Sequence, residues 1–347
     1  MEQEKHCMNN SARNLNMNRK HLSVLCAVCC ASLFASGCGD ISTLIKERVA
    51  SAGDSETSTD NTGSTAGTDK AVVTDSSDGL DVVTTPGKAD ATTASKPVKV
   101  KKSILDGKKV SILGDSISTY TGYIPSDYSI FYPENGGITD VKDTWWMRVI
   151  DGSNAVFCAD ASYSGSTTSG VSTEQNDGRP GVSDRRIGDL TSPDGMKPDV
   201  ILVYMGANDL LVNIPIGDND GTRTVAEGDI ENFTDAYTLM LDKVKKAYPD
   251  AQVYCITFHE ICRWDESGNG FTFKSDTGFI SSQYNDKIVL IAKNKGLPLI
   301  DVFNGCGINP DNAIDNTLDG THPNAAGAKK IADYILARWT RWQSNES

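Results

Sequence analysis

Val-Ser-Ile-Leu-Gly-Asp-Ser-Ile-Ser, residues 110–118, is the stretch on which the reading of this chain turns. Val110 to Leu113 form a short apolar run of the β type, and Gly114 stops it. The side chains that follow therefore stand at the carboxyl end of a strand, where open α/β sheets build their sites. Ser116 is the candidate nucleophile at that position. The Gly-Asp-Ser triplet gains weight from its company further along: Gly165, the run Gly206-Ala207-Asn208-Asp209, and Asp319-Gly320-Thr321-His322.

Outward from this strand the pattern alternates short apolar runs with helical periodicity. That alternation predicts a parallel sheet with helices on both faces, an α/β fold. Strands are expected near Val110–Leu113, Ala155–Ala159, Val200–Met205, Gln252–Phe258 and Leu299–Val302. The clearest helix is Ile230–Tyr248, where Phe233, Tyr237, Met240, Val244 and Ala247 recur at three and four residues and Pro249 ends the run. Tyr284, Ile288 and Ile291 mark a second, closed by Gly296. A third runs from Pro323 to Trp339, with Pro323 suited to a first helical turn.

The formal net charge of −13 over 347 residues argues against a nucleic-acid partner, since phosphate binding needs a basic face. Arg19, Lys20 and His21 precede an apolar run, Leu22 to Phe34, which is short for a bilayer span and suits a secretory signal. Ala35-Ser36-Gly37-Cys38 resembles the lipobox of bacterial lipoproteins, which implies lipidation at Cys38 and a membrane partner through the lipid. The alternative is an ordinary signal with an incidental Cys. From Gly39 to about residue 102 the chain is mostly Ser, Thr, Asp, Gly and Ala, a composition that cannot bury enough surface to order itself. Roughly 60 such residues make a tether with an r.m.s. span on the order of 40–45 Å. The expected organisation is thus a signal over 1–38, a tether over 39–102 and a catalytic domain over 103–347, lipid-anchored outside the cytoplasm.

Of nine Cys residues, four lie in the domain. Cys158 and Cys255 sit in apolar strand-like runs and read as packed thiols. Cys262 and Cys306 each follow an expected strand by a few residues, and those strands would be neighbours. Export permits a disulfide between them.

The four blocks resemble the SGNH hydrolases, the GDSL-like esterase family, over most of Lys108–Trp339. The resemblance implies a flavodoxin-like three-layer α/β/α sandwich with a five-stranded parallel sheet, and a carboxylic ester hydrolase without cofactor or metal. It assigns Ser116 as nucleophile, Asp319 and His322 as its partners, and Ser116, Gly165 and Asn208 as the oxyanion hole. The second block departs from the family's Asn-x-Gly-x-x-Gly, reading Asp160-Ala161-Ser162-Tyr163-Ser164-Gly165.

The chemistry supports the same residues. Acyl transfer needs an exposed hydroxyl, a base that titrates near neutrality, a group to orient that base, and donors where the oxyanion forms. His259 and His322 are the only His residues after the signal, and His322 follows Asp319 by three residues just before a helix. One tight turn can therefore set the carboxylate on one ring nitrogen and aim the other at Ser116. Asp115 and Asp209 read as loop-shaping residues. His259 lines a substrate pocket or is a satisfied core residue; Arg185 and Arg186 contact substrate or are solvated. Tyr120, Tyr123, Tyr128, Phe131, Tyr132, Trp145 and Trp146 crowd the segment after the nucleophile. Their faces either stack on sugar rings, Tyr120 and Trp145 among them, or pack that segment down.

No Gly-x-Ser-x-Gly elbow and no His-Glu-x-x-His occurs, which argues against an α/β-hydrolase and a zinc hydrolase. The expected activity is hydrolysis of carboxylic esters, with acetylated polysaccharide as the favoured substrate. An O-acyltransferase on the same fold, or an inactive carbohydrate-binding lipoprotein, are the alternatives.

Overall fold

Short runs of Val, Ile and Leu, apolar on both sides of the pleat, can be satisfied only where helices cover both faces of a sheet. The computed structural model describes residues 99–170 and 179–344. The expected signal segment with Cys38, and the tether as far as residue 98, lie outside the described residues.

Strand β1 (Lys99–Ser103) leads into β2 (Lys109–Gly114), followed by helix α1 (Trp145–Ser153) and β3 (Val156–Asp160). Helix α2 (Asp184–Gly188), β4 (Val200–Tyr204), the short α3 (Ala207–Leu211) and the long α4 (Phe233–Ala247) come next. Then follow β5 (Gln252–Ile256), a hairpin of β6 (Cys262–Trp264) and β7 (Gly270–Thr272), and α5 (Ser281–Asn294). Strand β8 (Leu299–Ile300), two single-turn helices, α6 (Val302–Gly305) and α7 (Ala313–Asn316), then α8 (Ala325–Trp339) and β9 (Thr340–Ser344) complete the chain.

The central sheet is parallel in the order β3-β2-β4-β5-β8. This is the flavodoxin-like arrangement, with its reversal of winding at β2. Every residue of β4 is buried, as a strand covered on both faces must be. Helices α1 and α8 pack together, while α4 packs with α2 and α5. Phe233, Tyr237, Met240, Leu241 and Val244 form the buried stripe of α4, and the Asn232 side chain caps it by accepting the Asp235 amide at 3.0 Å.

Three boundaries differ from expectation. Helix α8 starts at Ala325, because Asn324 accepts the Ala326 and Gly327 amides and serves as its cap, while Pro323 bridges to Thr317 outside the helix. Strand β1 begins ahead of residue 103 and pairs antiparallel with β9. The β6–β7 hairpin fills what reads as loop between β5 and α5.

The expected Cys262–Cys306 disulfide is corrected: both are free, buried thiols, as are Cys158 and Cys255. Sheet adjacency of β5 and β8 does not bring them together. Cys262 lies in the hairpin, its thiol turned to the Glu260 carbonyl, whereas Cys306 ends α6 immediately after β8.

Candidate active site

Register brings the blocks to one rim. Gly114 pairs with Tyr204 and Ile112 with Asp160, so the ends of β2, β3 and β4 lie side by side. Ser116, Gly165 and Asn208 each follow one of those ends within a few residues. A Cβ on Gly114 would fall 2.5 Å from Ser118 Oγ and 2.8 Å from Ser162 Oγ, so only glycine lets the Ser116 turn fold against the second block.

That turn is pinned from several sides. Asp115 Oδ1 accepts the Ile117 amide at 3.0 Å. The indoles of Trp145 and Trp146, in the first turn of α1, donate to Ser118 Oγ at 3.1 Å and the Ser118 carbonyl at 2.8 Å. Trp145 is 1% exposed, so its assignment as a substrate contact is corrected: its polar edge holds the turn from inside the core. Tyr120 gives its hydroxyl to the Thr139 carbonyl at 2.8 Å.

His322 reaches Ser116 from the far end of the chain. Its Nε2 stands 2.9 Å from Ser116 Oγ and its Nδ1 2.7 Å from Asp319 Oδ2. The other carboxylate oxygen of Asp319 accepts the Thr321 and His322 amides, closing the turn. Burial pushes the Asp319 carboxyl up, but the His322 ring and these two amides outweigh it and hold the group well below the ordinary carboxylate range. The Arg263 guanidinium supports the turn by donating to the Asp319 carbonyl and Thr321 Oγ1, and Gly320, with φ of 82°, lies where a Cβ would strike the Cys262 carbonyl. One face of the imidazole is covered by Phe131, ring centroids 3.6 Å apart and planes 10° from parallel.

Asn208, in the first turn of α3, donates from Nδ2 to the Ser166 carbonyl at 3.1 Å. A primary amide carries a second N–H, which this bond leaves unspent. Asp209 ties α3 to the second block, its Oδ2 accepting the Thr168 amide at 2.7 Å. Gly165 has φ of 80°, and among the described residues neither its amide nor that of Ser116 has a hydrogen-bond acceptor. The arrangement thus offers a hydroxyl, a ring nitrogen aimed at it, a carboxylate behind the ring, and three N–H donors on the segments that follow the adjacent ends of β2, β3 and β4. Among the described residues no group of three or more His, Cys, Asp or Glu side chains could hold a metal ion.

Of the neighbouring residues, His259 takes the core alternative and Arg186 departs from both of its own. His259 lines no pocket: it is fully buried, with Nδ1 2.9 Å from the Tyr204 hydroxyl and Nε2 unpaired. Arg186 is not solvated surface but fully buried, whereas Arg185 stays outside and pairs with Asp127. Arg186 donates to the carbonyls of Gly114, Ala161 and Arg179 and to Ser166 Oγ, and so laces the first block to the second.

Burial pushes the carboxyls of Asp115, Asp160 and Asp209 up to about 6, 7 and 7, although amides and, for the first two, Arg186 pull them back. Each holds its proton more tightly folded than unfolded. Its stabilising contribution is complete below the ordinary carboxylate pKa near 4 and is lost as pH rises through about 6–7. His259, pushed down by burial to about 4, acts the other way as pH falls from about 6.5, since only the unfolded ring takes up a proton. Three groups outweigh one. The melting temperature is expected to rise by several degrees from pH 8 to pH 5; a steady fall over that range would contradict the protonation states given.

The family model for GDSL-like lipase/acylhydrolase matches residues 108–300. No curated protein matches the chain. Among solved structures, the chain is similar to a Bacteroides uniformis protein described as a GDSL-like lipase, at 28% identity and TM-score 0.51, over 67% of this chain and 95% of that one. It is also similar to one from Bacteroides ovatus with the same description, at 24% identity and TM-score 0.49, over 67% and 98%.

Proposed function

Because the chain belongs to the GDSL-like lipase/acylhydrolase family, and with it to the carboxylic ester hydrolases, we propose that Ser116, His322 and Asp319 are its catalytic residues. The observation that carries this reading is the continuous relay from carboxylate to imidazole to hydroxyl at 2.7 and 2.9 Å. Ser116 Oγ attacks the ester carbonyl while His322 Nε2 takes its proton, and Asp319 fixes the ring tautomer and faces the imidazolium. The carbonyl oxygen becomes an oxyanion beside the Ser116 and Gly165 amides and Asn208 Nδ2, donors of which each is typically worth about 3 kcal/mol in such a site. Collapse of this intermediate breaks the ester C–O bond, and the proton on Nε2 passes to the departing alcohol. Water, deprotonated by the same nitrogen, then releases the acid from the acyl-enzyme.

The substrate in this proposal is an O-acetylated polysaccharide met outside the cytoplasm, reached from a lipid anchor at Cys38. Support for export is the apolar run Leu22–Phe34 followed by Cys38 and the polar tether. Enzymes that work at a lipid interface need a contiguous apolar surface. The exposed large apolar residues described here, Ile104, Val156, Phe271 and Leu290, belong to four separate elements or loops, which favours a polar ester.

Acetate release from acetylated xylan, pectin and peptidoglycan, together with p-nitrophenyl acetate hydrolysis, tests the reading. The expected result is turnover of the aryl ester and at least one polymer, with diisopropyl fluorophosphate adding its phosphoryl group at Ser116 by mass spectrometry. Absence of both turnover and adduct would refute the mechanism; aryl ester turnover with no polymer deacetylated would refute the substrate. Labelled palmitate should be incorporated by the wild type and not by Cys38→Ala; equal labelling would remove the anchor.

A further inference from the structure

Four contacts form a closed circuit around the proposed proton transfer. Ser116 Oγ meets His322 Nε2 at 2.9 Å, and the His322 ring lies on the Phe131 ring. The Phe131 amide donates to Thr119 Oγ1 at 2.9 Å, and that hydroxyl donates to the Ser116 carbonyl at 3.2 Å. The next residue reinforces the circuit, since the Tyr132 hydroxyl donates to the carbonyl of Pro323, directly after His322, at 2.6 Å. The segment that follows the nucleophile thus returns to hold both partners of the reaction.

We propose that Phe131 is a positioning residue, acting through His322 to favour the imidazolium that forms as Ser116 gives up its proton. The inference rests on the catalytic reading of Ser116 and His322 above.

A near-parallel stack with centroids only 3.6 Å apart leaves little lateral offset, the arrangement two neutral aromatic rings favour least. It suits a cation over a π face. The contact therefore strengthens when the imidazole becomes charged, and an interaction stronger after proton transfer than before lowers the barrier rather than merely tightening binding. Torsions such as χ2 of His are broad, and hydrogen bonds at the two ring nitrogens leave the ring free to rock about the line joining them. The flat Phe131 face limits that motion. Because His322 already occupies this face, it is not available to stack on a sugar, which removes one of the two roles open to the aromatic segment at this residue.

The test uses the full-length protein with p-nitrophenyl acetate. Phe131→Leu keeps an apolar side chain but removes the π face; it is expected to lower kcat about 10-fold with KM changed by less than about twofold. Phosphorylation of Ser116 by diisopropyl fluorophosphate should slow by a similar factor. Phe131→Tyr, which keeps the ring, should restore kcat to within about threefold of wild type. An unchanged kcat in Phe131→Leu, or a raised KM at unchanged kcat, overturns the proposal. Should that variant not fold, Thr119→Val decides: a lower kcat at unchanged KM supports the circuit, and an unchanged kcat overturns it. A wild type that neither turns over nor is phosphorylated takes the catalytic reading down and this inference with it. A reactive wild type with an indifferent Phe131→Leu overturns the role of Phe131 alone.

Discussion

Ser116→Ala should lower kcat/KM for p-nitrophenyl acetate by about 10⁴–10⁶, with the melting temperature nearly unchanged. Ser116 is 5% exposed, and among the described residues its hydroxyl bonds to His322 Nε2 alone, so its removal deletes the proposed attacking atom without emptying the core. His322→Ala should cost a similar factor, because an alcohol hydroxyl is a poor nucleophile until a base takes its proton. Residues that act as one unit are not additive, so the double variant should be no slower than the worse single one. A Ser116→Ala protein with more than about one-hundredth of wild-type activity would mean that another group attacks the ester.

Arg186→Leu should destabilise the domain by about 3–5 kcal/mol, read by urea or thermal denaturation, or prevent its folding. The guanidinium is completely buried, and burial pushes it down to about 10 while Tyr128, Asp160, Asp115 and Asp189 draw it back up. Its removal leaves the buried Ala161 carbonyl without its donor, takes one of two donors from the carbonyls of Gly114 and Arg179, and removes the cation that lowers the buried carboxyls of Asp115 and Asp160. Arg186→Lys should recover little, since one ammonium cannot reach acceptors spread around a planar fork. A Leu variant that loses less than about 1 kcal/mol would show that water or local rearrangement satisfies those acceptors instead.

The contrast between these two residues shows what the sequence could reveal. Ser116, Asn208, Asp319 and His322 were legible because acyl transfer demands particular functional groups, and because strand ends in an open α/β sheet mark where such groups collect. Arg186 was not legible, since its acceptors are main-chain atoms of Gly114 and Ala161, far away in sequence and carrying no residue-type signal. The Trp145–Trp146 pair could have been placed in the core from the start. Together with Val149 and Ile150 it forms the buried stripe of α1. The stack of Phe131 on His322 had no such precursor, as it depends on a loop returning between segments distant in sequence. The disulfide failed for a topological reason: two strands can be neighbours while the residues that leave them diverge, one into a hairpin and the other into a helical turn.

Strands β1 and β9 hold residues 99 and 344 opposite each other in one antiparallel ladder, and the Ile104 amide ties that ladder to the end of α8 through the Trp339 carbonyl. Chain entry through β1 comes just before the amino end of β2, whereas Ser116 follows its carboxyl end. The length of that strand, about 20 Å, separates them. A load applied at residue 99 is met by the ladder before it can reach the Asp319–His322 turn. Were the proposed anchor to pull on the chain at residue 99, the force would fall on this ladder and leave the alignment of imidazole and hydroxyl untouched.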